Sequence, residues 1–372
     1  MDVSLIVVVV VMTALVFDFT NGFHDTANAM ATSIATGALR PRVAVGVAAV
    51  LNLVGAFISV EVAKTISSGI VDEARITPTV IFGGLVGAIL WNLATWLFGL
   101  PSSSSHALFG GLIGATWIAS GVDAVNFPTV LAKIIIPALA APLVAAFVAT
   151  GATYLAYTIT NRTREDTRGR AFRAGQVVTA ALVSLAHGTN DAQKTMGVIT
   201  LTLITAGSLP AGAAPPLWVI IAAGSAIALG TYLGGWRIIR TMGKGITDIQ
   251  APQGFAAEAT ATAVILTSSH VGFALSTTHV VSGGVVGAGL GRRLAEVRWG
   301  TAGRIVMAWV LTLPAAAVVG ALSGRIADTG TIGTVVVALI GAAVGGGVYL
   351  IARRNPVSAN NVNESDQVPV AA

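Results

Sequence analysis

Apolar residues run along this chain in stretches too long to be one face of a soluble helix, and the polar positions inside them are few and grouped. Residues 43–62, 80–97, 130–157 and 217–236 each have about the length a helix needs to cross a ~30 Å hydrocarbon core. Lipid tolerates only helices and closed barrels, so the pattern predicts an all-α, polytopic helical bundle. The first segment, residues 3–39, would be about 55 Å long as one straight helix, more than a membrane needs. That excess predicts a break at the polar group Asn21, Gly22 and Asp25, where glycine permits an unwound turn.

The polar groups come in pairs. DFTNGFHDTAN at residues 18–28 has a counterpart, SLAHGTNDAQK, at residues 184–194; laid over one another without gaps, Gly22 meets Gly188 and Asp25 meets Asp191. PSSSSH at residues 101–106 pairs with ALSTTH at residues 274–279, matching Ser103 with Ser276, His106 with His279, and Gly110, Gly111 and Gly114 with Gly283, Gly284 and Gly287. The chain is internally duplicated. It divides into a first transmembrane repeat (1–160), a basic cytoplasmic linker with five arginines (161–173), a second repeat (174–324), a C-terminal transmembrane helix (325–354) and a tail (355–372) whose polar composition predicts disorder.

Charge then orients the bundle. If each serine/threonine turn joins a re-entrant helical hairpin, the basic positions at Arg40, Arg162 to Arg173, Arg237 to Lys244, Arg292 to Arg304 and Arg353 share one face, the positive-inside pattern. Each half then crosses an odd number of times, giving two inverted-topology repeats with broken helices, the plan of alternating-access transporters. The net charge of +5 thus reads as orientation and not as a nucleic-acid footprint. With 54% hydrophobic residues, 10% charged residues and a mean hydropathy of +0.81, the chain is expected in the cell membrane as a multi-pass protein. Absence of cysteine excludes disulfides and thiolate metal sites, and the N-terminus has no basic region or cleavage pattern of a signal peptide.

Hydroxyls and backbone N–H groups at a helix N-terminus make an anion site without arginine. Ser103, Ser104 and Ser105, with Ser276, Thr277 and Thr278, form two such termini; Gln193 and Lys194 join them as candidate anion contacts. Asp25 and Asp191 near an anion would repel it strongly in a low dielectric, so cations must load first. That order predicts a symporter rather than an enzyme, with Asn21, Asn28 and Asn190 supplying oxygen ligands suited to a hard cation. All five histidines, His24, His106, His187, His270 and His279, lie in or beside these groups, which favours proton handling, and Asp18 offers a further proton site. A protonated oxyanion can donate to a carboxylate, which favours phosphate over sulfate.

NGFHDTANA at residues 21–29, HGTNDAQK at residues 187–194 and PSSSSH together resemble the inorganic phosphate transporter (Pit) family over nearly the whole chain to about Arg354. The resemblance implies low-affinity phosphate uptake by cation symport, with Asp25 and Asp191 as the acidic centres and Ser103, Ser104, Ser276 and Thr277 as the hairpin hydroxyls. His24 stands where sodium-coupled members often carry Asn, so the first motif is similar to the bacterial proton-coupled branch, whose members can move phosphate as a neutral complex with a divalent metal. The alternatives are a sodium-coupled phosphate symporter and a sulfate permease on the same scaffold. A passive channel is disfavoured by buried carboxylates, and an intramembrane hydrolase by the lack of a nucleophile elbow. Phosphate, co-transported H+ or Na+ and the lipid bilayer are the expected partners, without cofactor, resident metal or nucleic acid; a homodimer is left open.

Overall fold

The computed structural model describes residues 3–292 and 297–364. Arg293 of the expected basic loop and residues 365–372 of the expected disordered tail lie outside them. The first half contains α1 (Val3–Ala35), α2 (Pro41–Gly55), α3 (Glu61–Gly69), α4 (Pro78–Leu97), α5 (Ser104–Ser120) and α6 (Phe127–Ile159, with a π turn near its start). The second contains α7 (Glu165–Thr205), α8 (Leu217–Leu233), α9 (Trp236–Gly245), α10 (Ala251–His270), α11 (Thr277–Leu290) and α12 (Trp299–Ala327); α13 (Thr331–Ala352) follows. Among the described residues α1, α4, α6, α12 and α13 are each long and apolar enough to cross a membrane, and α8 with α9 makes a sixth, bent by 62°. The molecule is an all-helical, multi-pass membrane protein.

The expected break in the first segment is absent. α1 runs unbroken through Gly22, and α7 runs unbroken for 41 residues through Gly188. Each glycine serves close packing instead. A Cβ on Gly22 would collide with the backbone of Ile227 and Thr231 on α8, and one on Gly188 with the backbone of Asn52 on α2. The motif side chains find partners on neighbouring helices, so the helix need not open its own ladder to satisfy them. Its excess length is of the kind that tilt accommodates. The chain bends at Gly234 and Gly235, where φ is +73° at Gly234.

The glycine contacts follow one plan in both halves. α1 lies on α8 through Gly22 and Gly230, and α7 lies on α2 through Gly188 and Gly55, so each motif helix packs on a helix of the other half. Gly110 and Gly114 of α5 sit against Leu313 and Ala317 of α12; Gly283 and Gly287 of α11 sit against Pro142 and Ala146 of α6. One apolar cluster gathers the first half of α1 (Val10, Phe17) with α4 and α5 (Leu85, Phe109). A second gathers the last half of α1 (Met30, Ile34) with α7, α10 and α11 (Val183, Ile265, Val285). The polar motif residues fall between these clusters.

Two segments depart from the composition-based reading. The linker is irregular only up to Arg164, because α7 begins at Glu165 with Glu165 and Asp166 in its first turn, where acidic groups complement the helix dipole. The tail packs as turns to Glu364: Arg237 donates to the carbonyls of Ala352 (2.9 Å) and Asn355 (2.6 Å), Arg240 to that of Asn361 (2.7 Å), and Asn363 to that of Ile34 (3.2 Å). Val362 is buried in the second cluster. Polar composition alone misses such a strap, because its anchors are backbone carbonyls, one asparagine amide and one valine.

Candidate functional site

α1 and α7 bring their motifs face to face. Helical spacing places His24 and Asn28 on one side of α1 and His187, Asp191 and Lys194 on one side of α7. Asp25 accepts from His24 Nδ1 at 2.7 Å, while His187 Nε2 lies 2.8 Å from Asp191 Oδ2 and 4.0 Å from Asp25 Oδ2. Lys194 forms an ion pair with Asp191. All of these side chains are buried. Asp25, His187 and Asp191 each offer a ligand atom within 4.8 Å of the others, a donor set that could hold a cation.

The histidines are oriented from outside this group. His24 Nε2 meets Thr95 Oγ1 on α4 at 3.1 Å, and Ser102 donates to the same hydroxyl at 2.8 Å. His187 Nδ1 meets Asn52 Oδ1 on α2 at 3.1 Å, and Asn52 in turn donates to Thr231 on α8 at 2.8 Å. Bonds to one ring nitrogen set the tautomer offered by the other. Thr95, Asn52 and Thr231 sit in apolar runs with no local signal. His187 was legible as the histidine of the second motif, though not as the link between the two aspartates.

The two serine/threonine turns end at this group. Ser103 caps α5 by accepting from the N–H of His106 at 3.1 Å, and Ser276 caps α11 by accepting from the N–H of His279 at 3.2 Å. The tips touch one another: Ser105 Oγ lies 3.4 Å from the carbonyl of Leu275, and the His106 and His279 rings are 4.8 Å apart. Thr277 donates to Asp191 at 2.8 Å, and Asn28 donates to Thr277 (3.3 Å) and Thr278 (3.0 Å). Ser104 Oγ, Asn28 Oδ1 and Asn190 Oδ1 are buried without a hydrogen-bond partner. Buried polar atoms of this kind call for a ligand, ion or water.

Several candidates stand elsewhere. Gln193 is turned away from the turns and accepts from the N–H groups of Val62 (2.8 Å) and Ala63 (3.3 Å) at the start of α3, so its amide is spent on capping. Asn190 donates to Ser269 at 2.8 Å, on the α10 side of the second turn. Asp18 and Asn21 are buried on α1 two turns and one turn before Asp25, with unpaired side-chain atoms. His270 is exposed at the end of α10. Glu258 of α10 is buried and accepts from Thr32 (2.5 Å), Ser33 (2.6 Å), Thr179 (2.5 Å) and Gln176 (3.3 Å), tying α1, α7 and α10 together. Sequence spacing gave no sign of that cluster.

The sequence profile of the phosphate transporter family matches residues 21–320, a span that includes the first motif from Asn21 onward, the whole second motif and both turns. The chain belongs to that family. It is 54% identical over 363 residues to a Mycobacterium tuberculosis protein described as "Probable low-affinity inorganic phosphate transporter", covering 96% of this chain and 87% of the relative. A Bacillus subtilis relative of the same description is 44% identical, with 87% and 98% covered. A solved structure described as "The sodium-dependent phosphate transporter" superposes with a TM-score of 0.72 at 24% identity, covering 87% of this chain and 99% of that one, a likeness of fold. Family membership makes this chain a transporter and not an enzyme.

Proposed function

We propose that this protein takes up inorganic phosphate by cation symport, with protons as the favoured coupling ion, through alternating access of two inverted repeats. The observation that carries the reading is that one histidine, His187, stands between the two duplicated carboxylates while the cap of α11 donates directly to one of them. Asp18, Asp25 and Asp191 face a single buried ammonium, Lys194, so an anion approaching this group meets excess negative charge. Protons on the carboxylates or on His24 and His187 remove that barrier. Ser103, Ser104, Ser105, Ser276, Thr277 and Thr278 then offer hydroxyls and helix N-termini to the phosphate, with Lys194 as its cationic contact. The exchange of packing partners between the halves, α1 on α8 and α7 on α2, supports a two-fold relation of the repeats. It gives the two hairpins equivalent places from which to open one side at a time.

A second reading concerns the substrate form. The Asp25, His187 and Asp191 donor set suits a divalent cation, which favours transport of phosphate as a neutral metal complex. Both readings are tested by radiolabelled phosphate uptake into proteoliposomes under an imposed proton or sodium gradient, each with and without divalent metal. Proton-driven accumulation is the expected result, and dependence on added metal selects the complex. Accumulation driven only by sodium reassigns the coupling ion, inhibition of uptake by excess sulfate brings back a sulfate permease, and no accumulation under either gradient overturns symport.

A further inference from the structure

A crevice of about 740 Å³ lies between α6 and α12, with α11 as its floor. The imidazoles of His106 and His279, which meet at the two turns, close its inner end, and Trp309 of α12 lies against His279 with ring centroids 4.2 Å apart. From Trp309 the crevice follows α12 back to Trp299, a rise of about 15 Å along a helix. That is half of a ~30 Å hydrocarbon core, so the crevice is one leaflet deep. Ser282 donates to Met242 Sδ at 3.3 Å and Trp309 Nε1 to the Pro101 carbonyl at 3.0 Å, so both are turned to protein partners. Between them the walls are Ile, Leu, Val, Ala and Pro side chains.

Leu139, Leu143 and Val310 are exposed along the rims, so the crevice opens sideways to the apolar medium around the bundle. A helix of a second copy is too thick for it, because 15 Å of a helix ~10 Å across takes up about 1,200 Å³. One acyl chain matches both the depth and the volume. The outer end says which lipid carries it. Trp299 is exposed there, as tryptophan is at membrane interfaces. Arg298, exposed and four residues before Ala302, stands on the crevice side of α12, and its guanidinium donates to the carbonyl of Lys244. Neither cation forms a salt bridge among the described residues, and Asp248 is the acid nearest to Lys244 in sequence. Two unpaired cations at the mouth of an apolar slot between helices suit a lipid phosphate. We propose that this crevice seats one acyl chain of an anionic phospholipid, with its headgroup on Arg298 and Lys244 and its chain end behind the meeting point of the two turns. The site rests on neither the transported substrate nor the coupling ion.

The test uses the purified full-length protein, stripped of lipid in detergent and free of phosphate. A ligand that binds the folded state raises the thermal midpoint, so the midpoint is followed as phosphatidylglycerol or phosphatidylcholine with the same acyl chains is added at fixed detergent concentration. Phosphatidylglycerol is expected to give a saturable rise, with half the effect at a concentration at least tenfold lower than for phosphatidylcholine. In Arg298→Gln that preference is expected to fall to within about twofold. In Ala302→Phe, whose ring fills the crevice, the saturable response to both lipids is expected to disappear; Ala302→Leu, a smaller filler, is expected to weaken it at least tenfold and serves if the phenylalanine variant does not fold. Equal responses of the wild type to the two lipids overturn the headgroup site, as does an unchanged preference in Arg298→Gln. A full phosphatidylglycerol response in a folded Ala302→Phe or Ala302→Leu variant places the lipid elsewhere on the protein and overturns the crevice.

Discussion

His187 Nε2 lies 2.8 Å from Asp191 Oδ2 and reaches toward Asp25 Oδ2 at 4.0 Å, so one imidazole joins the carboxylates of both sequence repeats. Removing it leaves two buried carboxylates without their common neighbour, and one-sided loss of a buried charged contact is strongly unfavourable. His187→Ala is expected to lower proton-driven phosphate uptake at least tenfold. Rates in proteoliposomes, with the thermal midpoint as control for folding, check this; wild-type uptake at neutral pH would remove His187 from the proposed machinery.

The hydroxyl of Thr277 gives its hydrogen to Asp191 and receives one from Asn28, so it ties α11 to both motif helices. Thr277→Val keeps the shape and deletes both bonds, at about 1 kcal/mol each. The KM for phosphate is expected to rise about five- to thirtyfold. Thr277→Ser, which keeps the hydroxyl, is expected to stay near the wild type, and equal effects of the two substitutions would show that the methyl group matters and the hydroxyl does not.

The bundle, the duplication and the clustering of the candidate side chains were legible in the chain because the membrane makes polarity informative: His24, Asp25, Asn28, Asp191 and Lys194 are conspicuous among apolar neighbours, and they do come together. What could not be read was whether a given polar residue is spent locally. Gln193 belongs to the second motif by position, yet it caps α3, whose start is distant in sequence. Gly22 looked like a break, yet it is the point where α8 approaches α1, and the choice between those roles depends on a helix more than two hundred residues away. Glu258 sits as a lone charge in a stretch of small and apolar residues, and its four donors come from α1 and α7.

The crossing of α1 and α8 yields a stability prediction. A Cβ at Gly22 or Gly230 would strike backbone, which cannot rotate away, whereas a Cβ at Gly46 meets nothing within 4 Å. Gly22→Ala and Gly230→Ala are each expected to destabilise the protein by about 1–3 kcal/mol, as overpacking does. Gly46→Ala, exchanging glycine for a better helix former inside α2, is expected to be neutral or stabilising by up to about 1 kcal/mol. Thermal midpoints of the three variants in one detergent decide it, and a Gly22→Ala variant as stable as Gly46→Ala would refute the close crossing.

Lys194 and Asp191 form the only fully buried lysine–carboxylate ion pair among the described residues, and breaking such a pair from one side is more damaging than removing it whole. Lys194→Met leaves Asp191 facing His187 and Thr277 but without its ammonium; the uncompensated charge costs about 3–5 kcal/mol unless a proton is taken up. Lys194→Met combined with Asp191→Asn removes both charges, and the double variant is expected to be more stable than Lys194→Met alone. The interaction energy from this double-mutant cycle is expected to exceed about 1 kcal/mol, since the two side chains are in direct contact. Strict additivity of the two substitutions in thermal unfolding would mean that the pair contributes nothing to holding α7 in place, and Lys194 would then be kept only for the anion.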